Sequence, residues 1–265
     1  MGWWHERPPC DTELAELDQF ASATGLAHWQ LGWRQNRGQQ PNKQTLWTSA
    51  SPPPLSWLAT EGAIVYEFRR DGGLSPGLFL DQENNRRWVQ DQSENKKVLN
   101  LFSYTGGFSL AAAKGGALSV TSVDLSAPYL QWTKINFNHN QLDATDPKFR
   151  FFSWDSREFL RWAHKKSETF DLVICDPPSF ARSAKGAPFR IEKDLPQLLE
   201  SLAKVLAPQG TILFSFNFEG WNEEQSHKQI RYYANALGLS MKSTPPLPAT
   251  MNKISRSMKS YFLVS

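Results

Sequence analysis

A doubly wound α/β fold, with a mostly parallel seven-stranded sheet and a small α+β amino-terminal extension, is what this 265-residue sequence predicts. Three observations carry the prediction. From about residue 95 onward, apolar strand runs alternate with helical runs, a pattern that gives parallel strands with helices on both faces. One such run, Val98-Leu99-Asn100-Leu101-Phe102, breaks into Gly106-Gly107, and a second, Leu172-Val173-Ile174-Cys175, ends in Asp176-Pro177-Pro178-Ser179-Phe180. Ligands bind beyond the carboxyl ends of parallel strands, so these two tips should converge on one crevice.

The elements follow in order. Residues 12–20 carry Leu14, Leu17 and Phe20 at helical spacing, and residues 32–54 are polar with a Pro52-Pro53-Pro54 run that excludes helix. Residues 63–68 and 77–81 read as strands joined through Asp71-Gly72-Gly73, a hairpin with a loop longer than two residues. A helix over 82–92 then delivers the chain to the main sheet. The change of texture near residue 95 marks a domain boundary, giving an extension over 1–94 and a ligand-binding domain over 95–265. That domain runs strand 98–102, helix 108–114, strand 119–124, helix 128–138, strand 150–154, helix 157–164, strand 170–175, helix 191–206, strand 211–216 and helix 223–237, and closes with strands at 240–243 and 257–264.

Composition narrows the function. Hydrophobic residues make up 40 %, and no apolar run approaches the roughly 18 to 20 residues that cross a bilayer, so no membrane span is expected. The amino end lacks the apolar segment of a secretory signal, and Cys10 and Cys175 are too few for a disulfide framework or a zinc cluster. A reducing cytoplasm is the expected location. The five histidines have no metal spacing, and no metal is expected. A balance of 29 Lys and Arg against 26 Asp and Glu permits nucleic acid without requiring it. Seven of the 11 Trp fall in the first third of the chain; they either fill a small core or, beside Arg34, Arg37 and Lys43, stack bases.

The glycine turn lacks the full Gly-x-Gly-x-x-Gly pattern that admits a pyrophosphate, which disfavours a dinucleotide. Gly106 and Gly107 still allow a ligand close to the backbone, and Asp124, 18 residues beyond Gly106, is suited to ribose hydroxyls. Adenosine without phosphates fits this pairing, although a plain tight turn and an ordinary strand-end Asp fit each residue singly. Asp155 either accepts an adenine amino group or caps the next helix, and the two roles are compatible. After Asp176 two prolines stiffen the turn and remove two donors, leaving carboxylate, carbonyls and Phe180 to face a flat base.

Together Leu78-Phe79-Leu80-Asp81-Gln82, Arg86-Arg87, Leu99-Asn100-Leu101-Phe102-Ser103-Tyr104-Thr105-Gly106-Gly107, Val123-Asp124 and Asp176-Pro177-Pro178-Ser179-Phe180 resemble one family. It is the class I S-adenosylmethionine-dependent methyltransferases that modify bacterial large-subunit (23S) ribosomal RNA, and the likeness runs from about residue 76 to the end. The resemblance implies a Rossmann-like fold, S-adenosyl-L-methionine as cofactor and RNA as partner. It puts Asn100, Phe102, Ser103, Tyr104, Thr105, Gly106 and Gly107 around the methionine part, Asp124 with Leu125 at the ribose, and Asp155 with Ser156 at the adenine. Asp176, Pro177, Pro178 and Phe180 would form the catalytic turn facing the base, with Asp176 also at the cofactor. Arg86, Arg182 and Lys185 are the candidates for substrate phosphate. The match of Gln82-Glu83-Asn84-Asn85-Arg86-Arg87 to the family's Asp-Gln-Arg segment is partial, and neither the separate RNA-binding domain nor the second methyltransferase half of better-known relatives is expected.

The family holds C5-cytosine and N7-guanine members. Carbon-5 of cytosine needs a cysteine to add to the ring, whereas guanine N7 already has a lone pair. The cytosine members carry that Cys just after Phe-Ser on the fifth strand, where this chain has Phe216 in Phe214-Ser215-Phe216-Asn217. Cys175 precedes Asp176 on a strand and points away from it. The resemblance is therefore closest to the N7-guanine members, whose reaction at a neutral nitrogen depends on alignment, worth about 7 to 11 kcal/mol. A small-molecule or protein methyltransferase with the Trp-rich segment as a lid, and a non-catalytic RNA-binding module that retains the cofactor, are the alternatives.

Overall fold

A computed structural model describes residues 2–4, 8–34, 44–72, 75–178, 180–181, 189–248 and 258–265. The elements run β1 (Gly2–Trp4), α1 (Asp11–Thr24), β2 (Gln30–Arg34), β3 (Gln44–Thr48), β4 (Ser56–Glu61), β5 (Ile64–Arg69), a 3₁₀ turn (Leu80–Gln82), α2 (Glu83–Gln92), β6 (Lys97–Leu101), α3 (Gly107–Lys114) and β7 (Ser119–Val123). There follow α4 (Ala127–His139), β8 (Phe149–Phe152), α5 (Ser156–Lys165), β9 (Phe170–Cys175), β10 (Phe180–Ala181), β11 (Phe189–Arg190), α6 (Ile191–Ala203), β12 (Leu206–Asn217), α7 (Glu223–Ala236), β13 (Ser240–Lys242) and β14 (Met258–Val264). Contacts divide the chain into two units: Met1–Ala59 with Glu67–Gly77, and Thr60–Tyr66 with Leu78–Ser265. Residues 78–94, which the change of texture near residue 95 assigns to the extension, thus cluster with the main sheet.

In the first unit β2 pairs in parallel with β1 and antiparallel with β3. Ala21, Trp29 and Leu31 form its core, with Leu14, Leu17 and Trp47 against them. Trp29 is buried and its indole N–H donates to Asp18 Oδ1 at 2.7 Å, so this ring is core filler. The polar stretch over 32–54 thus contains strand, because its pairing rests on backbone hydrogen bonds that composition does not reveal. The hairpin also differs from the expected one. It is formed by β4 and β5, which meet at Gly62 with φ 58°, whereas residues 77–81 run through Gly77 at φ 133° into the 3₁₀ turn. A glycine in the left-handed region closes a tight turn at little cost, and that signal outweighed the longer Asp71-Gly72-Gly73 loop.

The main sheet has the order β13-β14-β12-β9-β6-β7-β8. The strands β12, β9, β6, β7 and β8 are parallel, and β14 runs antiparallel to both β12 and β13. This is the expected Rossmann-like, seven-stranded arrangement, with β12 beginning earlier than the sequence indicates, at Leu206. Alternate residues Leu99 and Leu101, Val173 and Cys175, and Ile212, Phe214 and Phe216 pack on one face in a common core with Phe159 and Leu160 of α5 and Leu198 and Leu202 of α6. Each such fully buried aliphatic or aromatic side chain contributes about 1.5 to 3 kcal/mol relative to exposure. On the other face α3 lies along β6 and β7, flanked by α2 and α4.

The strand order reverses beside β6, since β7 and β8 extend from one edge of it and β9 and β12 from the other. That reversal opens a crevice at the carboxyl tips of β6 and β9. The support beneath it is tight: a Cβ on Gly115, at the end of α3, would sit 2.0 Å from the backbone carbonyl oxygen of Gln90 in α2. Gly115→Ala must therefore push α2 off α3, and urea unfolding should register a loss of about 3 kcal/mol, at the upper end of the range for overpacking.

Candidate functional site

The pairings Leu101 with Val123, Leu101 with Cys175 and Val123 with Phe152 set the ends of four parallel strands level. The residues that follow, Phe102, Asp124, Ser153 and Asp176, form a row along the carboxyl edge. Cys175 pairs with Phe214, which places Ser215 on the same row beside Asp176.

The loop after β6 is held in a conformation its sequence does not favour. Phe102 and Tyr104 have φ of 54° and 50°; the left-handed region costs a side chain with a Cβ about 1 to 2 kcal/mol. Bonds from neighbouring elements impose it. Ser103 N–H donates to Val123 O at 3.0 Å, Tyr104 N–H to Asp124 Oδ2 at 2.8 Å, Thr133 Oγ1 to Tyr104 O at 3.1 Å and Asn136 Nδ2 to Thr105 O at 3.0 Å. Gly106 has φ 81°, and a Cβ there would lie 2.2 Å from Thr133 Cγ2; one on Gly107 would lie 2.9 Å from Leu78 Cδ1. The space a Cβ would need at these glycines is filled by protein side chains, a packing reason for glycine beside the expected approach of a ligand. Asn100 is buried beneath the loop, donating through Nδ2 to Ser109 Oγ at 2.9 Å.

Asp124 accepts the Tyr104 and Ser126 N–H groups, one on each carboxylate oxygen, both at 2.8 Å. Burial raises its pKa against these two bonds. Asp155 caps α5, with Oδ1 accepting Arg157 N–H at 2.8 Å, and pairs with the Arg157 guanidinium at 3.0 Å. Burial pushes the Asp155 carboxyl up, but the side-chain and backbone bonds from Arg157 outweigh it and hold the pKa low. Capping is thus the role the structure gives Asp155. Ser156 is buried, its hydroxyl accepting Phe102 N–H at 3.4 Å.

Two features suit this edge to an adenosyl group. Ser103 Oγ is buried at the loop without a hydrogen-bond partner. Leu125 and Trp154, at the tips of β7 and β8, leave 42 % and 39 % of their large apolar side chains exposed, surfaces able to flank a flat ring. Trp154 was not among the residues the sequence singled out; its only signal is its place one residue before Asp155.

At the β9 tip, Asp176 Oδ2 accepts Gln82 Nε2 at 3.1 Å, and the same nitrogen donates to Ser215 Oγ at 2.7 Å. Burial, with the nearby Asp81 carboxylate, pushes the Asp176 pKa up to about 7, against Ser215, Gln82 and Arg86. Pro177 is buried and Pro178 exposed. Sequence reasoning gave no role to Gln82 or Ser215, though Gln82 lies in the Leu78-to-Gln82 string. Arg86 requires correction as a phosphate-binding candidate. It is 2 % exposed, its Nε donates to Glu61 Oε1 at 2.7 Å, Nη2 pairs with Glu61 Oε2, and Nη1 donates to Phe79 O at 2.7 Å. The guanidinium is consumed by the protein. Phe180 forms β10 with its backbone, while its side chain, Ser179, Arg182 and Lys185 lie outside the described residues. Cys175 is fully buried, and burial and Asp176 raise its pKa well above the ordinary thiol value. Phe216 is also fully buried. Among the described residues no three His, Cys, Asp or Glu side chains gather to hold a metal.

Comparison with known proteins agrees with this geometry. The pattern of the S-adenosylmethionine-dependent methyltransferase family matches residues 13–226. A ribosomal RNA large subunit methyltransferase K of Neisseria meningitidis serogroup B is 35 % identical over 222 residues, which are 83 % of this chain and 62 % of that protein. A ribosomal RNA large subunit methyltransferase K/L of a Shewanella species (strain ANA-3) is 42 % identical over 165 residues, 62 % of this chain and 23 % of that protein. This chain therefore spans less than two thirds of either relative. A putative methyltransferase crystallised with S-adenosylhomocysteine superposes with a TM-score of 0.80 at 26 % identity, covering 99 % of this chain and 69 % of that one.

Asp124→Asn keeps the volume but turns one acceptor into a donor facing a backbone N–H. Calorimetry should register S-adenosylhomocysteine binding weakened by about ten- to a hundredfold, the worth of one hydrogen bond to a charged group.

Proposed function

Because the chain belongs to the S-adenosylmethionine-dependent methyltransferase family, we propose that it methylates a base of large-subunit ribosomal RNA at a ring nitrogen, as the N7-guanine members do, without a cysteine nucleophile. The observation that carries this reading is the row of strand tips that brings the β6 loop, Asp124 and Asp176 to one edge. The two ribosomal RNA methyltransferase relatives support RNA as the substrate. Among the described residues no helix is long and apolar enough to cross a membrane.

S-adenosylmethionine, when bound, supplies a methyl group on a positively charged sulfur. Ser103 and the loop amides would hold its amino-acid end, Asp124 its ribose, and Leu125, Trp154 and Asp155 its adenine. The target base would lie against the Asp176-Pro177-Pro178 turn, with Phe180 beside it and Arg182 and Lys185 toward phosphate.

Methylation of N7 leaves a positive charge on the guanine ring and requires no proton to be removed. A carboxylate in a poorly solvated crevice opposes that charge as it develops, and such fixed electrostatic partners matter most where charge appears in the transition state. Asp176 is the residue in that position. Cys175 and Phe216 both face the apolar core, which supports a route without covalent addition to the base.

Nucleosides from ribosomal RNA of matched wild-type and deletion cells, analysed by mass spectrometry, should differ by one methylated guanosine; identical profiles would end the RNA reading. With Asp176 raised to about 7, turnover should climb as pH rises through 7, since only the ionised form opposes the product charge. Stability moves the other way. Between pH 4 and 7 the folded protein holds a proton on Asp176 that the unfolded chain has lost, so rising pH removes stability over that window. Asp176→Asn should lower kcat by about a hundredfold or more and melt higher than wild type at pH 8, an advantage that vanishes near pH 4.

A further inference from the structure

Behind Asp176 lies a closed ring of hydrogen bonds among four side chains from four elements. Gln82 Nε2 donates to Ser215 Oγ at 2.7 Å, Ser260 Oγ donates to Ser215 Oγ at 3.1 Å, Asn85 Nδ2 donates to Ser260 Oγ at 2.9 Å, and the same Nδ2 donates to Gln82 Oε1 at 2.7 Å. Ser215 and Ser260 face each other as a register pair of β12 and β14. Gln82 and Asn85 are 3 % exposed. The ring meets the reacting edge at Asp176, where Gln82 Nε2 donates to Oδ2 and Ser215 adds a second side-chain hydrogen bond.

The direction of the bonds around the ring carries information. An amide has a donor end and an acceptor end. Asn85 gives its NH2 to Gln82 Oε1, which commits the Gln82 NH2 to Asp176 and Ser215. Turned about, Gln82 would set Oε1 against Asp176, an arrangement tolerable only if the carboxyl kept its proton and donated it. The observed direction is the one an ionised carboxylate selects. It leaves Asn85 Oδ1 buried without a partner, and the reversed ring would instead bury the Asn85 NH2, with its two donors, in that same place.

We propose that Gln82 is a positioning residue for methyl transfer, its amide aimed by Asn85 so that Asp176 stays an ionised acceptor in one rotamer. The inference rests on the role of Asp176 given above. Of the other groups around that carboxyl, Asp81 opposes ionisation and Arg86, itself held by Glu61, favours it, while Ser215 adds a second hydrogen bond. Of the two ring members that bond the carboxyl, Ser215 has a hydroxyl that can rotate, whereas the Gln82 amide has a fixed donor end.

The test compares wild type with Gln82→Glu and Gln82→Met, the latter removing the donor while keeping nearly the same volume. Carboxyl carbon-13 NMR on the folded protein follows the Asp176 titration, assigned by its absence in Asp176→Asn. The midpoint should rise by about one unit in Gln82→Met and further in Gln82→Glu, where two carboxyls share one proton. The pH at which kcat is half-maximal should rise in step, lowering kcat at pH 7 by about fivefold in Gln82→Met and more in Gln82→Glu, with KM for RNA unchanged and activity recovering toward higher pH. A midpoint that stays fixed in both variants overturns the proposal, even if both lose activity, because a merely structural glutamine would act so. If wild type methylates no ribosomal RNA, the substrate reading fails and the NMR midpoint alone still decides the role of Gln82.

Discussion

Register between buried parallel strands is the constraint on which the site rests. Leu99 and Leu101, Val173 and Cys175, and Ile212 and Phe214 are fully buried, and a slip of one residue in any of these strands would turn its core face outward. The penalty of several buried side chains fixes the alignment. Alignment in turn sets Asp124 and Asp176 at one level, on either side of the loop that leaves β6. Neither carboxylate could reach that level through local preference, since both follow their strands directly. The positions of the polar groups are thus inherited from the packing of apolar ones.

Around that edge the protein tolerates several unfavourable local states. Phe102 and Tyr104 sit in left-handed conformations, Ser103 Oγ lacks a partner, and Asp124 and Asp176 are carboxyls whose pKa burial has raised. Strain and poor solvation of this kind persist only where the surroundings hold them in place. Here the holding groups are Thr133 and Asn136 of α4 on the loop, and Gln82 and Ser215 on Asp176. The polar groups of the crevice are thus each held by side chains from neighbouring elements.

Much of this was legible in the residues. The strand and helix alternation, the Phe102-to-Gly107 turn, the 18-residue step to Asp124 and the Asp176-Pro177-Pro178 turn all follow from patterns within one segment. What escaped the sequence depends on partners far along the chain. That Arg86 is spent on Glu61 depends on a hairpin whose turn at Gly62 was not recognised. Gln82 meets Ser215 across 133 positions and Asn85 meets Ser260 across 175, separations at which periodicity is silent. At Gly106 and Gly107 the sequence shows freedom toward a ligand, and the structure adds a second need for glycine, since Thr133 and Leu78 occupy the room of a Cβ. Of the two compatible roles open to Asp155, the bonds from Arg157 display the capping one, and the adenine contact stays a proposal.

The contact of Gly115 with the Gln90 carbonyl bears on where the catalytic module begins. Through it α2 is keyed into the first strand–helix unit, and α2 also carries Asn85 and Arg86, directly after Gln82. A truncation at residue 95, where the texture of the sequence changes, would retain every strand of the main sheet yet amputate the wedge that seats α3 and the amide that faces Asp176. A fragment that keeps both the wedge and that amide must begin before Gln82.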